Sequence, residues 1–371
     1  MPYSSPFEPA LAKRGAVFGA VGDVRVALRF GDVEKEFRAI TGEAALVDLS
    51  WRGVLEMTGR DRVRFLHGMC TNDIKKLQPG QGCMAAVVNR QGKMVAEMIV
   101  HATENALLLQ MDRSNLENTM IALARFIVAD DVQMKVSDAA VLGVRGPGSR
   151  AVLAAPELAD FHGVMRAGVF VARNRTGSRD GYDLIVPGSR PDEAEHLLAH
   201  GLPPAGFEAL EALRVQAGFP RWGADMGPEF LPMEAGLDSI AISYTKGCYI
   251  GQEVIQRVKT YSEPPRILVQ LEMESPDVPS PGAKILAGSA QVDAAHSAAH
   301  GLHLELMTQS EHSKEIGHVT SAGRSPLSDR TVALGYVRKE HKEPGTRVVV
   351  WPSAPATVRA LPWQARLTSA G

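Results

Sequence analysis

The sequence predicts an α+β protein with an all-β C-terminal part. Helix-period and strand-period hydrophobic patterns are interspersed up to Pro264-Pro265, and neighbouring strand-like runs are joined by short turns, as antiparallel strands are. Beyond that proline pair only short strand-like runs remain, separated by Pro, Gly and Ser. At 371 residues, with about 150 per domain, the chain has room for two or three domains and a sizeable core. Forty Lys+Arg against 42 Asp+Glu give a net charge of −2, and 45% hydrophobic with 22% charged residues is ordinary globular composition. That balance lacks the basic excess of a protein gripping many phosphates, so direct nucleic-acid binding is not expected.

The elements follow in order. Gly53 to Thr58 alternates as a half-buried strand, and Gly59-Arg60-Asp61 ends it, with Asp61 placed to cap a helix through Val63, Leu66 and Met69. Met84 to Val88 and Met94 to His101 read as strands about the turn Asn89-Arg90-Gln91-Gly92, with a third from Ala106 to Met111. Ser114-Asn115-Leu116-Glu117 has the form of a capping box, and Leu116, Met120, Leu123, Ala124 and Ile127 keep one helical face. Strands follow at Val132 to Val136 and Val141 to Arg145, then a short helix from Ser149 to Ala154. Val169 to Arg173 and Tyr182 to Val186 flank a hairpin loop. Pro191 opens a helix that Gly201 closes, and Phe207, Leu210, Leu213 and Ala217 define another that stops at Gly218. In the C-terminal part, strands are expected at Arg266 to Glu272, Ala283 to Leu286, Ile316 to Thr320, Val332 to Val337 and Arg347 to Trp351.

The three cysteines, Cys70, Cys83 and Cys248, are too few for a disulfide framework and wrongly spaced for zinc. The N-terminus has no basic start followed by an apolar run, and nowhere are there 18 consecutive apolar residues. A cytoplasmic, non-membrane protein is expected. His296, His300 and His303 have no Cys or carboxylate partner at metal-ligand spacing, so their Ala/Ser-rich stretch reads as a solvated loop and no metal site is expected. Phosphate-binding loops, nucleophile elbows, zinc-protease helices and dinucleotide fingerprints are all missing from the sequence.

Chemistry concentrates in Lys246-Gly247-Cys248-Tyr249-Ile250-Gly251-Gln252-Glu253, followed by Val254, Ile255 and Val258 at helical spacing. Cys248 is expected just before or within the first helical turn, where unpaired N–H groups favour thiolate, with Lys246 as a second positive charge. The competing reading is a small buried apolar residue, which is how Cys70 and Cys83 are read.

This segment resembles the signature of the YgfZ-type folate-binding proteins, a group related to the glycine-cleavage T-protein, the tetrahydrofolate-dependent aminomethyltransferase. Further stretches agree between Gly31 and Trp351, among them Ala45 to Ser50, Ala212 to Gly218, Pro232 to Leu237 and Gly317 to Ser321. The resemblance implies a cloverleaf of two interlocked folate-binding α+β domains and a C-terminal antiparallel β-barrel. Residues 1–50 and 140–265 would form one discontinuous domain, 51–139 the domain inserted in it, and 266–371 the barrel. It implies tetrahydrofolate or a derivative as ligand, and iron–sulfur client or assembly proteins as partners, tRNA-modifying enzymes among them. Arg214, Glu97, Asp180 and Tyr182 would contact the folate, with Cys248 reactive and Lys246 supporting it.

Two departures from the transferase stand out. Its Gly-Gly-x-x-Asp-Asp segment is matched by Gly92 to Glu97, where Ala96 occupies the first acidic position and only Glu97 remains. Its Gly-Glu-x-Gly-[Tyr/Phe]-Glu segment is matched around Gly177 to Tyr182, with Arg179 replacing the first glutamate. A methyl group cannot orient or protonate an amine, and on a strand a shift of one residue turns a carboxylate to the other face. Aminomethyl transfer is therefore disfavoured, and the first expectation is what the YgfZ-type resemblance implies, a folate-binding iron–sulfur maintenance protein. Aminomethyl transfer with Glu97 replacing the missing aspartate is the second, and a pure binding protein that docks partners on its barrel is the third.

Overall fold

The computed structural model describes residues 3–178, 180–288, 314–328 and 330–364, so Arg179 and the stretch with His296, His300 and His303 lie outside it. The chain forms two compact units, one of Met1–Leu213, Gly227–Pro232 and Leu237–Ser262, the other of Arg214–Met226, Met233–Gly236 and Glu263–Gly371. Among the described residues no helix is long and apolar enough to cross a membrane.

The larger unit holds a five-stranded sheet in the order Gly82–Val88, Met94–Ala102, Leu107–Asp112, Arg52–Thr58, Gln133–Val136. The turn between its first two strands forms because Asn89 Oδ1 accepts from the backbone N–H of Gln91 and Lys93, while Gly92 takes a φ of +74°. Period-two alternation sorts the side chains of the Met94–Ala102 strand. Ala96, Met98, Val100 and Ala102 enter an apolar core with Phe65 and Leu66 of helix Arg62–Met69 and Leu116 and Leu123 of helix Leu116–Ala124. Glu97, Ile99 and His101 point the other way, towards a six-stranded sheet in the same unit.

That second sheet runs Gly163–Arg166, Val169–Arg173, Gly181–Val186, Ala140–Arg145, Ala45–Asp48, Pro204–Ala205. Its Ala140–Arg145 strand is buried throughout, with Leu142 and Val144 in one apolar cluster and Val141 in another. The latter cluster joins the two sheets, since it takes Val54 from the five-stranded sheet and Val47, Val141 and Ile185 from the six-stranded one. A three-stranded sheet of Tyr3–Ser4, Val24–Arg29 and Val17–Val21 completes the unit's β-structure among the described residues. The structure adds these strands to those expected, along with helix Val33–Gly42, which Asp32 caps through the N–H of Glu34.

Both expected side-chain N-caps are corrected, whereas Gly201 and Gly218, each at positive φ, follow the ends of their helices as expected. Asp61 stands at the N-cap of Arg62–Met69 without capping it, because its carboxylate accepts from the backbone N–H of Asp131 at 2.9 Å. Ser114 lies inside a 3₁₀ turn, Arg113–Asn115, whose capping oxygen belongs to Asp112 and receives Ser114 N–H at 3.0 Å.

The smaller unit contains a closed antiparallel barrel of Arg266–Met273, Thr331–Arg338, Glu315–Arg324, Lys284–Ala287, Arg347–Trp351 and Ala354–Arg359. The last strand, additional to the five expected, pairs with both Arg266–Met273 and Arg347–Trp351 and so closes the ring. Closure removes the exposed sheet edge an open five-stranded arrangement would present. The molecule is thus an α+β protein with a C-terminal β-barrel.

Candidate functional site

Between the two large sheets lies a buried polar layer. Arg52 grips Glu97 with both guanidinium ends, Nη1 to Oε2 at 3.2 Å and Nη2 to Oε1 at 3.3 Å, and donates to the carbonyl of Gln110 at 2.9 Å. Gln110 Nε2 in turn donates to Asp183 Oδ2 at 2.7 Å, where Asn174 Nδ2 also donates at 2.7 Å. Asp183 Oδ1 accepts from Arg145. His101 completes the layer, with its ring nitrogens 3.0 Å from Phe161 O and 3.4 Å from Gln110 Oε1. Burial opposes ionisation of Asp183, but Arg145, Asn174 and Gln110 together hold its carboxyl below the usual range. His101 is pushed down by burial, only partly offset by its bond to Phe161 and by the Asp183 charge.

The layer distinguishes a polar from an apolar side of the Met94–Ala102 strand. Ala96 sits fully buried under the helices, where a carboxylate would find neither water nor a cation. Glu97, 3% exposed, is the acid that faces polar partners, so the shift of one residue turns the carboxylate towards the polar layer rather than away from it. Two N–H donors at the edge of this layer have no hydrogen-bond partner, the indole of Trp51 and the Nε of Arg52.

The other proposed folate contacts lie elsewhere. Asp180 stands 3.5 Å from Arg173 and accepts from its neighbour's N–H, Gly181, at 3.0 Å. Tyr182 has its ring in the apolar cluster with Phe7, Leu142 and Val144, on the opposite side of its strand from Asp183. Arg214 belongs to the smaller unit and is buried there, donating to Phe219 O and Asp225 Oδ2, each at 2.6 Å, and to Ser321 Oγ at 2.8 Å. Thr320 Oγ1 and Tyr336 Oη bond the same Asp225, so this group ties residues 219–225 to the barrel wall. Of the proposed folate contacts the structure brings only Glu97 into the polar layer. Asp183 is not among the expected contacts, although the sequence holds a signal for it. It directly follows Gly181-Tyr182, where the transferase segment ends in glutamate.

Cys248 is exposed, whereas Cys70 is buried and Cys83 half-buried. Burial pushes the Cys70 thiol up to about 11, and that of Cys83 higher still. The helix after Cys248 spans Gln252–Tyr261 and its N-cap is Gly251, so Cys248 stands in the loop ahead of the cap rather than in the first turn. Lys246 is 7% exposed and its ammonium donates to the carbonyls of His67, of Cys70 at 2.7 Å and of Asn72 at 3.0 Å. Beneath the same loop, the phenol hydroxyls of Tyr244 and Tyr249 are buried without partners, and burial raises both, Tyr244 to about 12.

Comparison with known proteins gives a consistent result. A family model described as the GCVT N-terminal domain matches residues 7–246, and one described as the glycine cleavage T-protein C-terminal barrel domain matches residues 266–363. The aminomethyltransferase of Streptomyces coelicolor is 29% identical over 345 residues, covering 87% of this chain and 86% of its own. That of Halalkalibacterium halodurans is 28% identical over 341 residues, with coverage of 87% and 86%. Among solved structures, the glycine cleavage system aminomethyltransferase T from Bartonella henselae superposes with a TM-score of 0.84 at 25% identity, covering 98% of each chain.

Proposed function

Because the chain belongs to the glycine cleavage T-protein family, we propose that it binds tetrahydrofolate or a derivative and, through the thiol of Cys248, assists the assembly or repair of iron–sulfur proteins, tRNA-modifying enzymes among them. One observation carries this reading. The chain displays an exposed thiol within Lys246 to Glu253 while Glu97, the acid that faces the polar layer, is engaged at both oxygens by Arg52. A carboxylate so engaged is a poor proton carrier, whereas an exposed thiol can ligate iron or form a mixed disulfide.

The residues present fit a folate. The unpartnered N–H groups of Trp51 and Arg52 would meet acceptor atoms of a pterin ring. Bound tetrahydrofolate supplies amine nitrogens that can carry a one-carbon unit. Around it, Arg52 and Glu97 would orient the ring, and Asp183, fixed by Arg145, would set the charge of the layer.

Calorimetric titration of tetrahydrofolate under anaerobic, reducing conditions, paired with complementation of an iron–sulfur enzyme in cells lacking this protein, tests the proposal. Wild type and Cys248→Ser should bind folate alike, and only wild type should restore the enzyme. Full complementation by Cys248→Ser, or no folate binding by either protein, overturns it.

The position of Glu97 on the polar side of its strand favours a second reading, aminomethyl transfer with Glu97 as the working acid. It requires ammonia release from an aminomethyl-carrying lipoyl protein in the presence of tetrahydrofolate, lost in Glu97→Gln.

A further inference from the structure

Helix Arg62–Met69 ends at Cys70, whose N–H makes the last intrahelical bond, to Leu66 O. The carbonyls of His67 and Gly68 are then left without helical partners. Both are satisfied from the Lys246 to Ile250 segment: Lys246 Nζ donates to His67 O, and Ile250 N–H donates to Gly68 O at 3.3 Å. Lys246 Nζ also reaches the carbonyls of Cys70 and Asn72, so all three of its N–H bonds are engaged at the negative end of the helix. The Tyr249 ring lies 4.8 Å from the same nitrogen and is itself buried. Between these anchors Gly247 and Cys248 are both exposed.

We propose that Lys246 is a positioning residue for Cys248. Its ammonium caps the helix and, with Tyr249, pins the two ends of a two-residue arch that holds the thiol outward at a fixed place on the surface. This deepens the thiol function proposed above and rests on it. Lys246 then acts through hydrogen bonds to carbonyls, and the displayed thiol suits exchange with a group on a partner protein's surface.

Two variants separate the alternatives. Lys246→Met removes donors and charge, and Lys246→Gln restores two donors without the charge. Site-resolved alkylation of Cys248 with iodoacetamide across pH, and amide hydrogen exchange at residues 67–72 and 250, are read on both. The expected result is an unchanged alkylation midpoint in both variants. The rate at which Cys248 attacks a protein-borne mixed disulfide should fall in Lys246→Met and recover in Lys246→Gln, with iodoacetamide reactivity unchanged. A rate of attack that does not fall leaves Lys246 merely structural and overturns the proposal. Exchange in those segments should be about tenfold or more faster in Lys246→Met and substantially slowed again in Lys246→Gln. A midpoint raised equally in both variants with exchange unaltered would mean that Lys246 acts by charge, and the proposal falls. Should Lys246→Met fail to fold, Lys246→Gln against wild type still decides through the pH midpoint. If Cys248→Ser complements fully, the thiol function fails while these readouts still report on Lys246.

Discussion

At position 96 a methyl group lies among Phe65, Leu66 and Leu109, and at position 97 a carboxylate meets Arg52. Introducing a carboxylate on the apolar side, Ala96→Asp, should cost about 3 kcal/mol or more, because nothing there hydrogen-bonds or neutralises it. Urea unfolding checks this, and wild-type stability would mean that this side of the strand is not closed. Removing the cation, Arg52→Met, strands a buried carboxylate and should cost about 3–5 kcal/mol, while Arg52→Met with Glu97→Leu should recover much of that loss. A double-mutant cycle measures it. Cys248 and Glu97 were legible as candidates because reactive residue types in a named motif are visible in a one-dimensional string. Gln110 and Arg145 were not, because they join Asp183 only when two sheets from distant stretches of chain face each other.

Among the elements, most helices and strands of the larger unit were legible from hydrophobic period and from the glycines that end two helices, Gly201 and Gly218, and the side-chain N-caps were not. Period reports which face is buried, a property spread over many residues, whereas a cap is one hydrogen bond that a distant N–H can divert, as Asp131 does with Asp61. The loop before helix Gln252–Tyr261 gives a sharper contrast. Gly251 has a φ of +80°, and a Cβ there would lie 2.3 Å from Asn89 O, whereas a Cβ at Gly247 would meet nothing within 4 Å. Gly251→Ala should therefore destabilise by about 2 kcal/mol and Gly247→Ala by less than about 0.5 kcal/mol. Thermal unfolding of the two variants side by side tests the difference, and equal losses would contradict the geometry.

For the molecule as a whole, the buried carboxylates shape the response to acid. The Asp183 carboxyl is held low, so the stability it lends is complete above the unfolded value of about 3.9 and is lost as pH falls through the lower native value. Asp48 acts in the opposite sense. Burial raises its carboxyl, so the native state gains as pH falls through that raised value. Asp183→Asn should be less stable than wild type at neutral pH and should lose less further stability on acidification below about pH 4. Urea midpoints measured across the acid range decide it, and parallel curves would remove Asp183 from the acid response.

The sequence by itself determined the α+β class, the five-stranded sheet's hairpin, five of the barrel's six strands and the segment that displays Cys248, because each follows from local period, turn chemistry or motif. Only the tertiary structure decided that the final strand, Ala354–Arg359, closes the barrel. It alone also decided that Glu97 rather than position 96 faces the polar layer, and that Lys246 turns inward to cap a helix. These outcomes depend on which groups lie within hydrogen-bond reach across large sequence separations, and no spacing along the chain encodes that distance.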